Sequence, residues 1–415
     1  MHIILVRTVM TMIKRERYMR RIRPFIGNEL IKVLTGIRRS GKSVMLELIK
    51  DELCEQGVSA KQFITFNFES LANAKYCTAD ALYDELTKRI TEITGKSYLF
   101  FDEIQEVSDW EKCINSARVD FDCDIYITGS NAKLLSGELA TYLGGRYVKF
   151  VIYPFSFEEY LASRRLTQED ITVSEGFKQY LNLGGMPFLT NLQADRSASL
   201  QYLRDVYSSV VLKDVVKRNA IRDVDLLERI ITYVMANIGH TFSARSISNY
   251  FKNENRKVAP ETVLNYIKAC CDAYLFFKIS REDIIGKKIL SVNEKYYIVD
   301  HGIREAVYGM GTRDIDQLLE NIVCMELIRR GYDVTIGKAR DKEIDFVALS
   351  GGDKIYIQVA YLLSGEETIE REFGAYDSIR DNYPKYVLSL DDFDMSRNGI
   401  KHRNIRDFLL ADEWN

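Results

Sequence analysis

An eight-residue pattern near the start of the chain restricts its fold more than any other feature. Residues 36–43, Gly-Ile-Arg-Arg-Ser-Gly-Lys-Ser, fit G-x-x-x-x-G-K-[ST]. An apolar, strand-like run precedes the pattern, and a helical pattern over residues 44–54 follows it. This order of strand, glycine-rich turn and helix is the context that the motif requires. The sequence therefore predicts a phosphate-binding loop, or P-loop.

The residue types of this loop suit phosphate chemistry. Gly36 and Gly41 allow a tight turn whose backbone N–H groups point at phosphate oxygens, and the next helix adds its positive N-terminal end. Lys42 would reach the β- and γ-phosphates, and the Ser43 hydroxyl would bind Mg²⁺. A glycine turn that ends in Lys-Ser by chance is the alternative. We expect the nucleotide to be bound by Gly36, Ile37, Arg38, Arg39, Ser40, Gly41, Lys42, Ser43 and Val44.

Two acids follow a second apolar run. Residues 98–101 are Tyr-Leu-Phe-Phe, as in a strand that a parallel sheet buries on both faces, and Asp102 and Glu103 come next. Buried carboxylates are costly there unless they have a role. We interpret the run as a Walker B strand, in which Asp102 holds Mg²⁺, directly or through water. Glu103 would polarise the water that attacks the γ-phosphate.

Two further features could complete this site. A strand over residues 124–128 leads to Ser130 and Asn131, which could sense the γ-phosphate and position water, although a simple turn explains either residue nearly as well. Arg146 follows a Gly-Gly turn and could neutralise charge on a phosphoryl group in a neighbouring site. A surface loop residue is the alternative for Arg146. The alternation of strands and helices over residues 31–151 predicts an α/β fold with a parallel sheet.

The middle of the chain has a different pattern. Residues 166–223 are helical in period, apart from a turn signal at 184–187 that could present backbone to the nucleotide. Residues 224–305 show three helical patterns and a hairpin-like pair, which is the layout of a winged helix. DNA binding and protein packing both stay open, because this part is only moderately basic. Its basic residues include Arg245, Arg256, Lys257, Lys268, Lys287 and Lys288.

The last part of the chain, residues 306–415, shows a helix followed by three strands, with Asp345 in the second strand. This is the layout of the restriction-endonuclease-like core, in which metal-dependent nucleases place Glu-x-Lys in the next strand. Gln358 and Ala360 occupy the corresponding positions. A glutamine binds Mg²⁺ more weakly than a carboxylate does, and alanine cannot activate water. We expect the fold without DNA hydrolysis; a nuclease in which Asp345 gathers a metal with Glu343 or Glu326 is the alternative.

Composition limits the classes of protein. A chain of 415 residues suggests two to four domains, and a net charge of −3 gives no overall basic field for nucleic acid or membranes. The seven scattered cysteines lack C-x-x-C spacing, which favours a reducing cytoplasm without a disulfide framework. No run is long and apolar enough to cross a membrane, so we expect no membrane partner.

We expect five parts in the chain: a possible extension over residues 1–11, a P-loop ATPase domain over 12–165, a helical lid or linker over 166–223, a winged-helix domain over 224–305, and an endonuclease-like domain over 306–415. The true start, Met1 or Met12, stays open. The basic segment 14–23 could bring Arg15 or Tyr18 near the adenine, and a solvated basic helix is the alternative.

Together these segments resemble a known family. Residues 12–43, 98–106, 127–135, 144–159, 184–187, 295–302 and 343–361 are similar to a group of bacterial and archaeal AAA-type ATPases. In that group a winged helix and a C-terminal endonuclease-like domain of undefined role follow the P-loop domain. The resemblance covers nearly all of residues 12–410; its ATPase motifs are specific and its C-terminal motifs are weak.

The resemblance implies ATP binding and Mg²⁺-dependent hydrolysis by Lys42, Ser43, Asp102 and Glu103. An arginine finger at Arg146 that reaches into a neighbouring subunit would be similar to what related ATPases have, and a homo-oligomer follows only if Arg146 acts in this way; action within its own subunit stays open. Our leading hypothesis is an ATP-driven switch or motor with an unidentified protein client. The alternative is an ATP-regulated DNA-binding protein, a regulator or a defence component, with little hydrolysis of its own.

Overall fold

The computed structural model describes residues 13–132, 144–168, 170–254, 256–286, 288–309 and 314–414. The extension predicted over residues 1–11, the choice between Met1 and Met12, and Lys287 lie outside the described residues.

A five-stranded sheet forms the first part of the chain. Its strands are β1 (Ile31–Thr35), β2 (Phe63–Asn67), β3 (Ser97–Asp102), β4 (Cys123–Gly129) and β5 (Tyr147–Val151). They lie in the order β2-β3-β4-β1-β5, and every pairing is parallel. The helices of this part are α1 (Glu16–Ile22), α2 (Lys42–Glu55), α3 (Ala79–Ile90) and α4 (Trp110–Asp120). The predicted parallel α/β sheet is confirmed.

The central strands are buried on both faces. Every residue of β1, β3 and β4 is buried, which explains their continuous apolar runs. Neighbouring residues of β1 belong to different cores: Leu34 is in the same core as Phe100 on one face of the sheet, and Val33 is in the same core as Phe101 on the other. Because β4 lies between β1 and β3, the carboxyl ends of these three strands meet at one edge.

Helices dominate the middle of the chain. They are α5 (Phe157–Arg165), α6 (Val173–Leu183) and α7 (Arg196–Ser209), and α7 continues into a π-helical segment, Val210–Lys217. Three more helices and an antiparallel pair follow: α8 (Val224–Ala236), α9 (Ala244–Asn253), α10 (Pro260–Asp272), β6 (Phe276–Asp283) and β7 (Lys288–Ile298). The elements match the predicted pattern; their assignment to a winged helix stays a prediction.

The C-terminal part is built on a second sheet. Its elements are α11 (His301–Val307), α12 (Ile315–Arg329), β8 (Asp333–Ala339), β9 (Lys342–Ser350), β10 (Asp353–Val359), α13 (Glu366–Gly374), β11 (Lys385–Ser389), β12 (Lys401–Asn404) and α14 (Ile405–Leu410). The strand order is β12-β11-β10-β9-β8-β6-β7. Because β6 pairs with β8, this sheet runs across the predicted division between residues 305 and 306. The endonuclease-like assignment and the domain limits stay predictions.

Among the described residues, no helix combines the length and the apolar character that a membrane span needs.

Candidate nucleotide site

The P-loop connects β1 to α2, and its two glycines are required by the backbone. Gly36 has φ +142°, and a Cβ atom at this position would lie 2.2 Å from the carbonyl oxygen of Ile152. Gly41 has φ +97° and is the N-cap of α2. A side chain at Gly36 would collide with backbone, and positive φ disfavours one at both positions. The loop therefore keeps the turn that the sequence motif predicts.

Lys42 is the first residue of α2 and points back into the loop. Its side chain is buried, and Nζ donates hydrogen bonds to the carbonyl oxygens of Gly36 at 3.1 Å and Ile37 at 3.2 Å. Burial lowers the pKa of Lys42, while the negative charges of Glu103, Asp102 and Asp214 oppose this effect. A buried ammonium group is thus held over the loop where an anion would bind.

Asp102 ends β3 and receives several hydrogen bonds. Thr128 Oγ1 donates to Oδ1 at 2.6 Å, and Asn67 Nδ2 donates to Oδ2 at 3.1 Å. Burial raises the pKa of Asp102, and the hydrogen bonds from Thr128 and Ser43 oppose this change. The two residues predicted to bind Mg²⁺, Ser43 and Asp102, are therefore near enough to influence each other. A hydroxyl and a carboxylate oxygen side by side fit a cation that prefers oxygen ligands.

Glu103 is buried and has an unusual backbone conformation. Its φ and ψ are 55° and 50°, in the left-handed region that residues other than glycine rarely occupy. Its N–H donates to Thr128 Oγ1 at 2.9 Å, and its Oε1 lies 3.8 Å from Lys42 Nζ. Gln105 donates to the other carboxylate oxygen. Such backbone strain clusters at functional sites when the surroundings enforce it.

Ser130 and Asn131 are buried at the end of β4. Ser130 Oγ donates to Asp214 Oδ1 at 3.0 Å. Asp214 also accepts from Arg38 Nε at 2.9 Å, so the P-loop and the end of β4 share one carboxylate. The other predicted loop contacts vary in exposure: Ile37 and Ser40 are buried, and Arg39, Ser43 and Val44 are exposed.

The N-terminal basic segment is hydrogen-bonded to the P-loop through Arg15. Arg15 is buried, and its guanidinium donates to the carbonyl oxygens of Ser40 at 3.0 Å and Tyr153 at 2.8 Å and to the Glu159 carboxylate. The Tyr18 hydroxyl accepts from the Tyr153 N–H at 3.1 Å. The alternative of a solvated helix does not describe Arg15 or Tyr18, because both side chains are buried against protein groups.

Backbone groups of the turn at 184–187 form hydrogen bonds with other parts of the protein. The Gly185 N–H donates to Asp300 Oδ2 at 2.7 Å, and the Gly185 carbonyl accepts from the Phe155 N–H at 2.7 Å. A Cβ atom at Gly185 would lie 2.2 Å from the Phe155 carbonyl oxygen. The close packing joins α6 to α11, and both backbone groups of Gly185 already have hydrogen-bond partners within the protein.

Arg146 lies at the opposite edge of the sheet from the P-loop. It precedes β5, its carbonyl accepts from the Ile31 N–H at 3.0 Å, and its side chain is exposed. Tyr147 is paired with Ile31 at the amino end of β1, whereas the P-loop follows the carboxyl end. Five residues of strand, at about 3.3 Å each, separate the two edges by about 16 Å. Arg146 therefore lies away from the P-loop of its own chain, and its role as an arginine finger stays a prediction.

Two of the predicted acids of the C-terminal part, Asp345 and Glu343, line a cavity of about 410 Å³. Asp345 Oδ2 accepts from the Val359 N–H at 2.8 Å, and its own N–H donates to Gln358 Oε1 at 2.7 Å. Gln358 Nε2 donates to Glu372 Oε2 at 3.0 Å. Gln358 thus has a structural role, since it joins Asp345 to Glu372.

The other two acids suggested for a nuclease lie in separate ion-pair networks. Lys295 of β7 places Nζ 2.8 Å from Glu343 Oε1. Glu326 is buried and pairs with Arg329 at 2.5 Å and Arg330 at 2.7 Å. Glu326 is not among the residues that line the cavity next to Asp345.

Sequence reasoning missed four residues around the site. Asn67 and Thr128 end the predicted strands, so their polar side chains at that sheet edge were a usable signal. Asp214 and Arg218 follow α7, far along the chain, and carry no motif. Only the packing of the π-helical segment against the P-loop reveals them.

Comparison with known proteins agrees with this description. An AAA domain family matches residues 28–161, and a domain of unknown function, DUF8612, matches residues 174–314. The chain is 37% identical to an uncharacterized protein of Haemophilus influenzae over 96% of this chain and 99% of that protein. It is 32% identical to the uncharacterized protein MJ1544 of Methanocaldococcus jannaschii over 84% of this chain and 78% of that protein.

A solved structure supports the fold. The Walker-type ATPase PABY2304 of Pyrococcus abyssi aligns with a TM-score of 0.50 and 16% identity, covering 71% of this chain and 95% of that chain. The fold of the part that contains the five-stranded sheet is thus that of a P-loop ATPase, and the chain belongs to the family of AAA-domain proteins that includes these Haemophilus and Methanocaldococcus relatives.

Proposed function

We propose that this chain binds ATP with Mg²⁺, hydrolyses it, and acts as an ATP-driven switch. The main observation is that Lys42, Ser43, Asp102 and Glu103 converge at one sheet edge, with Lys42 Nζ 3.8 Å from Glu103 Oε1. These side chains come from two segments about 60 residues apart, and each has the chemistry that phosphoryl transfer uses.

Each residue has a distinct part in this proposal. The Lys42 ammonium binds the β- and γ-phosphates, and the P-loop N–H groups cradle them. Ser43 and Asp102 hold Mg²⁺, which when bound would neutralise phosphate charge. Glu103 accepts a proton from the attacking water. Ser130 and Asn131 contact the γ-phosphate or the water from the end of β4.

Phosphate release by the purified protein tests the proposal. We expect Glu103→Gln to bind ATP but to lose at least about 100-fold in rate, and Lys42→Ala to lose ATP binding. Glu106→Gln is the matched control, because Glu106 is exposed on the same turn, three residues beyond Glu103. Equal rates for the wild type, Glu103→Gln and Lys42→Ala would refute hydrolysis at this site.

The position of Arg146 supports a proposal that the ATP-bound form self-associates. Because Arg146 lies at the amino ends of the strands, away from its own P-loop, we propose that it completes the site of a neighbouring copy. Arg146→Ala should lower the specific ATPase rate and remove its dependence on protein concentration. Light scattering with ATP present would show whether copies associate.

A DNA-binding role is the second candidate, supported by three helices followed by the β6–β7 hairpin. The basic surface is smaller than the sequence suggests, because Arg256 is paired with Asp223 at 2.7 Å and with Asp225 at 2.5 Å. Binding through phosphate contacts would weaken steeply as salt rises. Absence of DNA binding at low salt, with and without ATP, would exclude this role.

A further inference from the structure

Asp214 brings a buried carboxylate to the nucleotide site from outside the ATPase domain. It lies in the π-helical segment Val210–Lys217, and its side chain is 1% exposed. A π-helical turn is rare and is frequently found at functional sites. The segment places this charge where the helical region meets the P-loop.

Both oxygens of this carboxylate are engaged. Oδ2 accepts from Arg38 Nε at 2.9 Å, and Oδ1 accepts from Ser130 Oγ at 3.0 Å. Arg218 Nη2 lies 3.3 Å from Oδ1 and donates to Ser130 Oγ at 3.2 Å. One carboxylate therefore joins the P-loop, the end of β4 and the helical turn that contains it.

Arg38 is held from two sides. Its Nη1 donates to Glu69 Oε1 at 2.9 Å, beyond the end of β2, while Nε donates to Asp214. Because the guanidinium group is planar and its donors have fixed directions, two carboxylates on different edges fix its orientation. Phosphate is another anion that such a group binds well. An arginine in the middle of a P-loop is thus oriented in advance.

Asp214, Arg38 and Arg218 form a charged cluster, and its charges interact with those of the P-loop. Burial lowers the pKa of Lys42, and Asp214 is one of the charges that oppose this effect. Burial also acts to lower the pKa of Arg38, but the hydrogen bond and charge of Asp214, together with Glu103, hold it above its ordinary value. Asp214 therefore lies within electrostatic reach of the groups proposed to bind phosphate.

We propose that Asp214 is a positioning residue of the nucleotide site, which orients Arg38 toward the terminal phosphate of a bound nucleoside triphosphate. The site then distinguishes ATP from ADP through Arg38, and the segment Val210–Lys217 responds to the third phosphate. The inference rests on the proposed ATP binding and goes beyond it, because it assigns the discrimination to a residue of the helical region.

A double-mutant cycle tests the inference. Affinities for Mg²⁺-ADP and for the non-hydrolysable analogue Mg²⁺-AMPPNP are measured by calorimetry for the wild type, Arg38→Gln, Asp214→Asn and the double variant. We expect each single variant to lower the AMPPNP-to-ADP affinity ratio about tenfold, the effect of one ion-pair contact to phosphate. The double variant should be no worse than Arg38→Gln alone, because Asp214 acts through Arg38. Arg222→Gln is the control, since Arg222 is an exposed arginine just beyond the cluster.

A second measurement on the wild type covers the case in which Asp214→Asn does not fold. Amide hydrogen exchange over Val210–Lys217 should change with AMPPNP and not with ADP. An unchanged affinity ratio in Asp214→Asn, additive effects in the double variant, or identical exchange with the two nucleotides would overturn the inference. A wild type that binds neither nucleotide would instead overturn the proposed function, and the inference with it.

Discussion

Thr128 holds both acids of the site through a single hydroxyl group. Its Oγ1 donates to Asp102 at 2.6 Å and accepts from the Glu103 N–H at 2.9 Å, and the side chain is fully buried. A hydroxyl can donate once and accept at the same time, whereas valine, which has the same shape as threonine, can do neither. Thr128 therefore fixes the carboxylate of one acid and the strained backbone of the next.

We expect Thr128→Val to damage both stability and activity. Valine has the same shape, but it leaves Asp102 Oδ1 and the Glu103 N–H without this buried partner, a cost of roughly 1–3 kcal/mol. Urea unfolding should show the loss, and phosphate release should fall because Glu103 is no longer fixed. Thr128→Ser keeps the hydroxyl and is the control. Equal stability of the valine variant and the wild type would contradict this role.

The contact between α6 and α11 contains a buried histidine. His301 Nε2 lies 2.6 Å from the Tyr180 carbonyl oxygen, and the two rings pack edge to face with centroids 4.9 Å apart. Burial lowers the pKa of His301, while the charge of Asp300 and the Tyr180 carbonyl oppose this change and Arg329 adds to it. The elements therefore pack around a neutral imidazole.

This histidine should make the contact sensitive to acid. Because its pKa is lower when folded, the unfolded chain binds the proton more readily, so stability is complete above about pH 6.5 and is lost as the pH falls through the folded value. His301→Gln cannot titrate. From pH 7.5 to 5.5, the wild-type unfolding free energy should fall more than the variant's, by up to about 1.4 kcal/mol, because pH 5.5 lies about one unit below the ordinary pKa of histidine.

Urea unfolding at several pH values measures this difference. Comparing the two proteins cancels the effect of His402, whose pKa burial also lowers. Parallel pH profiles for the wild type and His301→Gln would show that the His301 imidazole does not titrate on unfolding.

Local sequence patterns predicted the helices and strands well, but they did not predict which of these elements pair with each other. The period of the sequence predicted α2 over residues 44–54, and the structure has Lys42–Glu55. It could not predict that β6 pairs with β8, since parallel pairing between distant strands leaves no local pattern. For the same reason the motifs identified Lys42, Ser43, Asp102 and Glu103, whereas Asp214, on a helix about 175 residues from the P-loop, could not be found.

At the scale of the whole molecule, one hydrophobic core crosses the predicted division between the ATPase and C-terminal parts. It includes Tyr18 of α1, Leu34 of β1 and Phe408 of α14. Charged contacts cross it too, since Arg17 Nη1 lies 3.8 Å from Glu326 Oε1. A nucleotide-dependent change at the P-loop would therefore reach the C-terminal part through a close-packed core. Such a core transmits strain better than a flexible linker does.

The two tryptophans can test this continuity. Trp110 of α4 lies in the ATPase core, and Trp414, near the end of the chain, stacks on Phe408 with ring centroids 4.0 Å apart. Trp110→Phe and Trp414→Phe each leave one fluorescent probe. Because a shared core couples the two parts, we expect each probe to unfold in urea at the midpoint given by circular dichroism of the same variant. That internal comparison removes any stability lost through the substitution itself. A Trp414 transition at clearly lower urea than the circular dichroism midpoint would show that the C-terminal part unfolds independently.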